Sequence, residues 1–105
     1  MIAVIHHINP TEHIKVLKEI ERVLQPNGKC LITNWALEQP PNAKRQFTKG
    51  LNMVKWKGKE DNPLPYWVMD YPLAEEFTHN LPSGLKSMNL EWEAGNFNFT
   101  LQKPT

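Results

Sequence analysis

Apolar and polar positions along the chain change period several times, and each change marks an element. The first element is an unbroken apolar segment, Ile2 to Ile5, followed by His6 and His7. Next, Val16, Leu17, Ile20, Val23 and Leu24 recur at intervals of three and four, with Lys15, Lys18, Glu19, Arg22 and Gln25 between them. That period predicts a helix with one packed and one wet face. Its start is well specified: Asn9 is an N-cap, Pro10 lacks only an N–H that would go unpaired, and Glu12 completes a capping-box pattern. Pro26-Asn27-Gly28 ends the helix, because proline cannot continue it and Asn or Gly tolerates positive φ. Lys29 to Trp35 then reads as a strand. Its apolar residues Cys30, Leu31 and Ile32 stand in succession and do not alternate, which predicts a central parallel strand covered on both faces.

From Glu38 to Pro65 the periodicity dissolves into Pro40-Pro41, scattered glycines and a basic run. This predicts a loop or insertion with at most a short helical piece. Order returns at Pro72, where Leu73 to Phe77 reads as a short helix with acids near its N-terminal dipole end, closed by Pro82. Met88, Leu90 and Trp92 then alternate with Asn89, Glu91 and Glu93, and beyond Ala94-Gly95 the residues Phe97, Phe99 and Leu101 share one face. Two such runs about a tight turn predict an antiparallel hairpin. The chain therefore divides into a strand end, helix and strand over 1–37, a basic loop over 38–71, and a short helix with hairpin over 72–105. Apolar segment, helix, turn and buried strand in that order are the repeating unit of an α/β sheet.

Composition narrows the picture. With 105 residues there is room for one small domain, which buries only about 60–68% of the surface its unfolded chain exposes. A net charge of +1 points to no partner. The single cysteine, Cys30, excludes a disulfide or a cysteine metal site within one chain, and suits a reducing cytoplasm, or also the nucleus. No apolar stretch is long enough to span a membrane, and the N-terminal residues lack the basic flank of a signal peptide, so a soluble, untargeted chain is expected. His6, His7 and His13 supply enough imidazoles for zinc, but not at a ligand spacing, and no metal is expected. Half of the 12 basic residues, namely Lys44, Arg45, Lys49, Lys55, Lys57 and Lys59, cluster around Phe47 and Trp56. Phosphate attraction with interleaved stacking suits RNA; a solvated loop balanced by Glu60 and Asp61 is the plainer alternative.

Four strings carry a resemblance: Ile-Ala-Val-Ile-His-His at 2–7, Leu-Lys-Glu-Ile at 17–20, Arg-Val-Leu-Gln-Pro-Asn-Gly-Lys at 22–29 and Trp-Ala-Leu-Glu-Gln at 35–39. They resemble class I S-adenosylmethionine-dependent methyltransferases, in the branch that modifies the wobble uridine of tRNA. The likeness is close over 1–39 and looser over 86–103. It implies the C-terminal half of a Rossmann-like sheet, ending in an antiparallel β-hairpin, with Met1 near the end of the fourth strand. It also implies that the glycine-rich loop and the acidic residue that hold the cofactor lie outside these residues, so a piece of this kind is expected to be inactive alone. In the resemblance His7, with His6 beside it, sits at the rim of the cofactor cleft, where a histidine can position the carboxylate of a carboxymethyluridine. Trp35 faces the same cleft and can stack the base, Ala3 lines the cofactor edge by backbone contact, and Lys55, Lys57 and Lys59 meet tRNA phosphates. The plainer alternative has the histidines packing a loop and Trp35 in the core. A small zinc-binding activator similar to Trm112 is a further implied partner. Where relatives carry an Arg-Tyr-Tyr-His-like string, this chain has Pro65-Tyr66-Trp67-Val68-Met69, which puts substrate binding through that segment in doubt. A small-molecule methyltransferase remnant and a non-catalytic RNA- or protein-binding module remain open beside the tRNA enzyme.

Overall fold

The computed structural model describes residues 1–43, 46–54 and 63–104. In chain order the elements are β1 (Ile2–Val4), a 3-10 turn (Pro10–Glu12), α1 (His13–Val23), β2 (Lys29–Trp35), β3 (Gly50–Val54), β4 (Leu64–Val68), α2 (Tyr71–His79), β5 (Lys86–Glu93) and β6 (Asn96–Gln102). The main sheet has the order β1-β2-β6-β5, and β3 and β4 form a separate two-stranded sheet. β1 joins β2 in parallel, while β6 pairs antiparallel with both β2 and β5. The predicted α/β fold with its terminal hairpin is therefore present. The Ala94-Gly95 turn has positive φ at both residues, 50° and 86°, the backbone twist that suits a two-residue hairpin.

Several expectations are corrected. Cys30, Leu31 and Ile32 do not make a strand covered on both faces: Cys30 and Ile32 are fully buried, whereas Leu31 is 37% exposed. The side-chain period of two governs. The buried residues of α1 (Leu17, Ile20) and α2 (Ala74, Phe77) join one core cluster with Cys30, Ile32, Phe97, Phe99 and Leu101, so both helices cover the same face. The expected long helix opens as a 3-10 turn, where Asn9 Oδ1 accepts from the Thr11 N–H at 3.0 Å and Glu12 pairs with Lys15 in place of closing a capping box. The expected loop over 38–71 contains the β3–β4 hairpin, whose two short strands carry no clean alternation and include Pro65. The Met88-Leu90-Trp92 face is broken by an irregularity between Ser87 and Asn89. Leu90 stays against the core, while Met88 and Trp92 are about half exposed; a bulge shifts the residues beyond it relative to the pleat.

Caps and turns hold the helices. Asp70 Oδ1 accepts from the Leu73 N–H at 3.0 Å and starts α2. At the other end of α1, Lys103 Nζ donates to the carbonyls of Glu21 and Leu24 at 2.7 and 3.0 Å, neutralising groups that a helix C-terminus leaves unpaired. Asn27 at φ 67° and Gly28, where a Cβ would stand 2.8 Å from the Gln25 carbonyl, make the turn into β2. Among the described residues no helix is long and apolar enough to cross a membrane.

β4 sets up the functional end of the sheet. The Trp67 N–H donates to the His6 carbonyl at 2.7 Å, the Met69 N–H to the Trp35 carbonyl at 3.0 Å, and the Leu37 N–H to the Met69 carbonyl at 2.8 Å. Asn34, fully buried, donates its amide to the carbonyls of Trp35 and Trp67 at 2.9 and 3.0 Å. These bonds lay the β3–β4 hairpin across the carboxyl ends of β1 and β2.

The opposite edge is bare. β1 pairs only with β2 in the described sheet, and its Ile2 and Val4 are 77% and 48% exposed. Beside them an apolar groove of about 410 Å³ runs between Met1 and Val16, Ile20 and Val23 of α1. An open strand edge flanked by apolar surface associates. The chain is expected to show concentration-dependent association in sedimentation velocity, and Ile2→Lys with Val4→Lys is expected to suppress it. A monodisperse wild-type monomer over the same concentration range would contradict this.

Candidate functional site

The parallel pairing of β1 and β2 brings their carboxyl ends to one level, the place where ligands bind in open α/β sheets. His6 and His7 follow β1 and Trp35 ends β2. Because β6 is antiparallel, its first residue Asn96 lies opposite Trp35, and the Ala94-Gly95 turn arrives at this same end. The Ala36 N–H donates to the Gly95 carbonyl at 2.8 Å, and Gln39 Nε2 bridges the Ala36 and Gly95 carbonyls at 2.6 and 2.9 Å. Three stretches of chain distant in sequence thus form one rim.

Aromatic rings fill that rim. Tyr66, from β4, stacks on Trp35 with centroids 3.8 Å apart and planes 11° from parallel, and it also stacks on His6 at 4.8 Å. Phe47 covers Trp35 as well, at 5.1 Å and 27°. His6 lies 5.0 Å from Trp35 and 4.7 Å from His7, and His7 packs 4.2 Å from Tyr66. His7, with His6 beside it, was expected at the rim of a cofactor cleft, with Trp35 facing the same cleft. The structure does bring these three together, but as parts of a packed cluster in which only His7 is exposed.

The two histidines differ in chemistry. His6 is 7% exposed, and its pKa is lowered to about 4, first by burial and then by the neighbouring His7. That shift leaves the ring uncharged at neutral pH, and its buried Nδ1 has no hydrogen-bond partner among the described residues. His7 Nδ1 lies 2.9 Å from the Pro65 carbonyl. A carbonyl can only accept, so Nδ1 donates, and in the neutral ring Nε2 is left as acceptor. The Pro65–Met69 string, the departure that put this segment in doubt, is what orients His7.

The remaining candidates lie elsewhere. Ala3 packs against the core cluster, within β1 and before the rim. His13 faces Phe77 edge-on at 5.7 Å in the core. Burial lowers its pKa, opposed by hydrogen bonds to the carbonyls of Ile8 and Ile5. It does not join His6 and His7, and no group of three metal-binding side chains occurs among the described residues. Lys49 pairs with Asp70 at 3.7 Å. Lys44, Arg45, Lys55, Trp56, Lys57 and Lys59 lie outside the described residues. Tyr66, Asn34 and Gln39 are site residues that sequence reasoning did not assign, and Phe47, read there as a stacking ring of the basic run, joins the rim through Trp35. Asn34 was accessible to it, since it shares a strand face with Cys30 and Ile32 and so had to be a buried amide.

No protein-family profile matches the chain. Over 63 residues, 58% of the chain, it is 44% identical to the tRNA (carboxymethyluridine(34)-5-O)-methyltransferase ALKBH8 of Macaca fascicularis. Over 56 residues, 52% of the chain, it is 43% identical to the probable tRNA methyltransferase 9B of Mus musculus. The chain matches 10% of the first relative's length and 12% of the second's. Among solved structures, the 1,6-didemethyltoxoflavin-N1-methyltransferase of Burkholderia thailandensis, bound to 1,6-didemethyltoxoflavin and S-adenosylhomocysteine, superposes with a TM-score of 0.58 at 15% identity. That likeness covers 99% of this chain and 44% of that one. The resemblance to class I methyltransferases of the tRNA-modifying branch is thus shown in sequence over about half the chain, and the fold is shown over nearly all of it.

Burial of His6 and His13 makes stability depend on pH. Both pKa values are lowered on folding, so the unfolded chain takes up protons first. Their contribution is complete above about pH 6.5 and is lost as pH falls through the lowered values, about 4 for His6, at no more than about 1.4 kcal/mol per pH unit for each ring. Urea midpoints at pH 7 and pH 5 are expected to differ less in His6→Phe than in the wild type. Equal differences would place His6 in solvent.

Proposed function

We propose that the chain is the C-terminal part of the catalytic domain of an S-adenosylmethionine-dependent tRNA methyltransferase that methylates the carboxylate of a modified wobble uridine. The observation that carries this reading is the aromatic rim, with His7 oriented by Pro65, set at the carboxyl ends of two parallel strands in a chain that is 44% identical over 63 residues to a tRNA methyltransferase.

The cofactor itself does not fit what this chain builds. The loop after β1 is His6-His7-Ile8-Asn9, without glycine, and among the described residues the rim is made of aromatic rings and amides, with no carboxylate in it to hold a ribose. S-adenosylmethionine would supply the methyl group in the complete enzyme, held by residues outside this chain. What the chain contributes is substrate positioning. A carboxylate is already a nucleophile at neutral pH, so the chemistry calls for orientation more than for a base. With Nδ1 held by the Pro65 carbonyl, His7 meets the carboxylate side of the uridine through Nε2, which donates to a carboxylate only in the doubly protonated ring; Trp35 supplies a face for the base, and Lys55, Lys57 and Lys59 attract the tRNA backbone.

Calorimetric titration of the chain with S-adenosylmethionine is expected to show no binding; micromolar affinity would overturn the division of labour. In an enzyme completed with the segment that precedes the matched residues in the macaque relative, His7→Ala and Trp35→Ala are each expected to lower methyl transfer by about one to three orders of magnitude, with cofactor affinity unchanged. Removing Lys55, Lys57 and Lys59 together should weaken tRNA binding and lower its logarithmic salt slope by about 0.7–0.9 per lost contact. Full turnover in the His7 and Trp35 variants, with only a lower melting temperature, would make both residues structural.

A further inference from the structure

Among the described residues two rings stack on the indole of Trp35, and they are held very differently. Tyr66 is 4% exposed, stacks nearly parallel at 3.8 Å, and is fixed in β4 by pairing with Asn52 of β3 and by the bond of the adjacent Trp67 to His6. Phe47 is half-buried, lies farther off at 5.1 Å and 27°, and belongs to no helix or strand. Beside Phe47 and Trp35 opens a cavity of about 230 Å³, walled further by Gln39, Ala43, Gly95 and Asn96.

The polar groups in that wall are amides. Gln39 Nε2 donates to two carbonyls, those of Ala36 and Gly95, which settles the orientation of the carboxamide, because a flipped amide would face oxygen with oxygen. Gln39 therefore fixes the hairpin turn as the cavity wall. At Gly95, φ is +86° and a Cβ would stand 2.4 Å from Gln39 Oε1, so only glycine lets the turn come this close. Asn96 lies opposite Trp35 in register, which puts its carboxamide, with one acceptor and two donor hydrogens, on the same face of the sheet as the indole.

We propose that this cavity, enlarged by displacement of Phe47, is a stacking subsite for a single-ring nucleobase whose edge is read by Asn96. The inference rests on the RNA reading above and adds to it the face of Trp35 that is used, the side chain that vacates it and the amide that reads the base. Phe47 occupies the base position in the empty protein. Of the two covering rings it is the one that can leave, since moving Tyr66 would break strand pairing. The occupant favours a pyrimidine: the ring that Phe47 sets against the indole is a single six-membered ring, the size of a pyrimidine and smaller than a purine. The uracil edge alternates acceptor and donor, and a carboxamide meets such an edge with two parallel hydrogen bonds.

The test is a titration of the whole chain with uridine 5′-monophosphate, followed by the tryptophan indole N–H resonances in ¹H–¹⁵N spectra. Phe47→Ala removes the competitor and is expected to tighten binding at least fivefold, the low end of what one base–aromatic stack is worth. Asn96→Ala is expected to weaken it about fivefold, and adenosine 5′-monophosphate to bind more weakly than the uridine nucleotide. Should Phe47→Ala not fold cooperatively, Phe47→Leu is expected to change affinity in the same direction. Unchanged or weaker binding in a folded Phe47 variant, or an Asn96 variant indistinguishable from wild type, overturns the subsite. The titration needs neither methyl donor nor tRNA. Its failure therefore leaves the methyl-transfer reading standing, and a completed enzyme inert toward tRNA leaves the titration result untouched.

Discussion

The geometry of the molecule depends on β2 having unlike neighbours, parallel β1 on one side and antiparallel β6 on the other. Parallel pairing places the end of β1 level with the end of β2, so His6 and His7 meet Trp35. Antiparallel pairing returns the Ala94-Gly95 turn to that same end. Were β6 parallel, its turn would lie at the far end of the sheet and Asn96 could not stand beside Trp35. The rim is thus a consequence of strand direction, and burial of Cys30, Ile32, Phe97, Phe99 and Leu101 on the one helix-covered face is what holds those directions. Each such side chain contributes about 1.5–3 kcal/mol by leaving water, far more than any of the exposed ion pairs on α1.

Local pattern carried the elements of the main sheet and missed what lies over it. α1, β2 and the β5–β6 hairpin are each encoded within a short window by period, cap and turn residues, and the structure has all of them. The β3–β4 hairpin is not encoded that way. Its strands are five residues each, one contains Pro65, and its inward face of Asn52, Val54, Tyr66 and Val68 is stabilised by docking on β1 and β2 in place of its own hydrophobic repeat. The same reason explains the site. His6, His7 and Trp35 were legible through the resemblance, because they belong to the strings that carry it. Tyr66 and Phe47 join them through contacts that span 12 to 60 positions of chain, which no window of the sequence contains. The apolar run of Cys30, Leu31 and Ile32 misled because succession was taken for two-sided burial, when only alternate residues share a face.

Asn34 shows how the two layers are coupled. A carboxamide on the buried face of a central strand costs stability unless bonded, and its amide hydrogens are met by the carbonyls of Trp35 and Trp67. This residue ties the end of β2 to β4, and hence Tyr66 to Trp35. The coupling is incomplete, because Asn34 Oδ1 and His6 Nδ1 are both buried with no hydrogen-bond partner among the described residues. An unmet buried polar atom costs roughly 1–3 kcal/mol, so the closed rim carries a penalty in the very place where it covers aromatic surface.

That balance bears on how a stacking site persists when empty. Aromatic faces at the end of a sheet cannot stay bare in water without loss of hydrophobic free energy, so a protein that offers an indole to a ligand needs something to cover it in the meantime. In this chain the cover comes from its own rings, one fixed in a strand and one held only by packing. The fixed ring, Tyr66, also bears on His6 and His7, so it organises the rim whether or not a ligand is present. The loosely held ring, Phe47, stacks on Trp35, whereas His7 is held by the Pro65 carbonyl and by Tyr66. Separating the two functions in this way lets one face of Trp35 be surrendered to a ligand without disturbing the histidine that would position the ligand's reactive group.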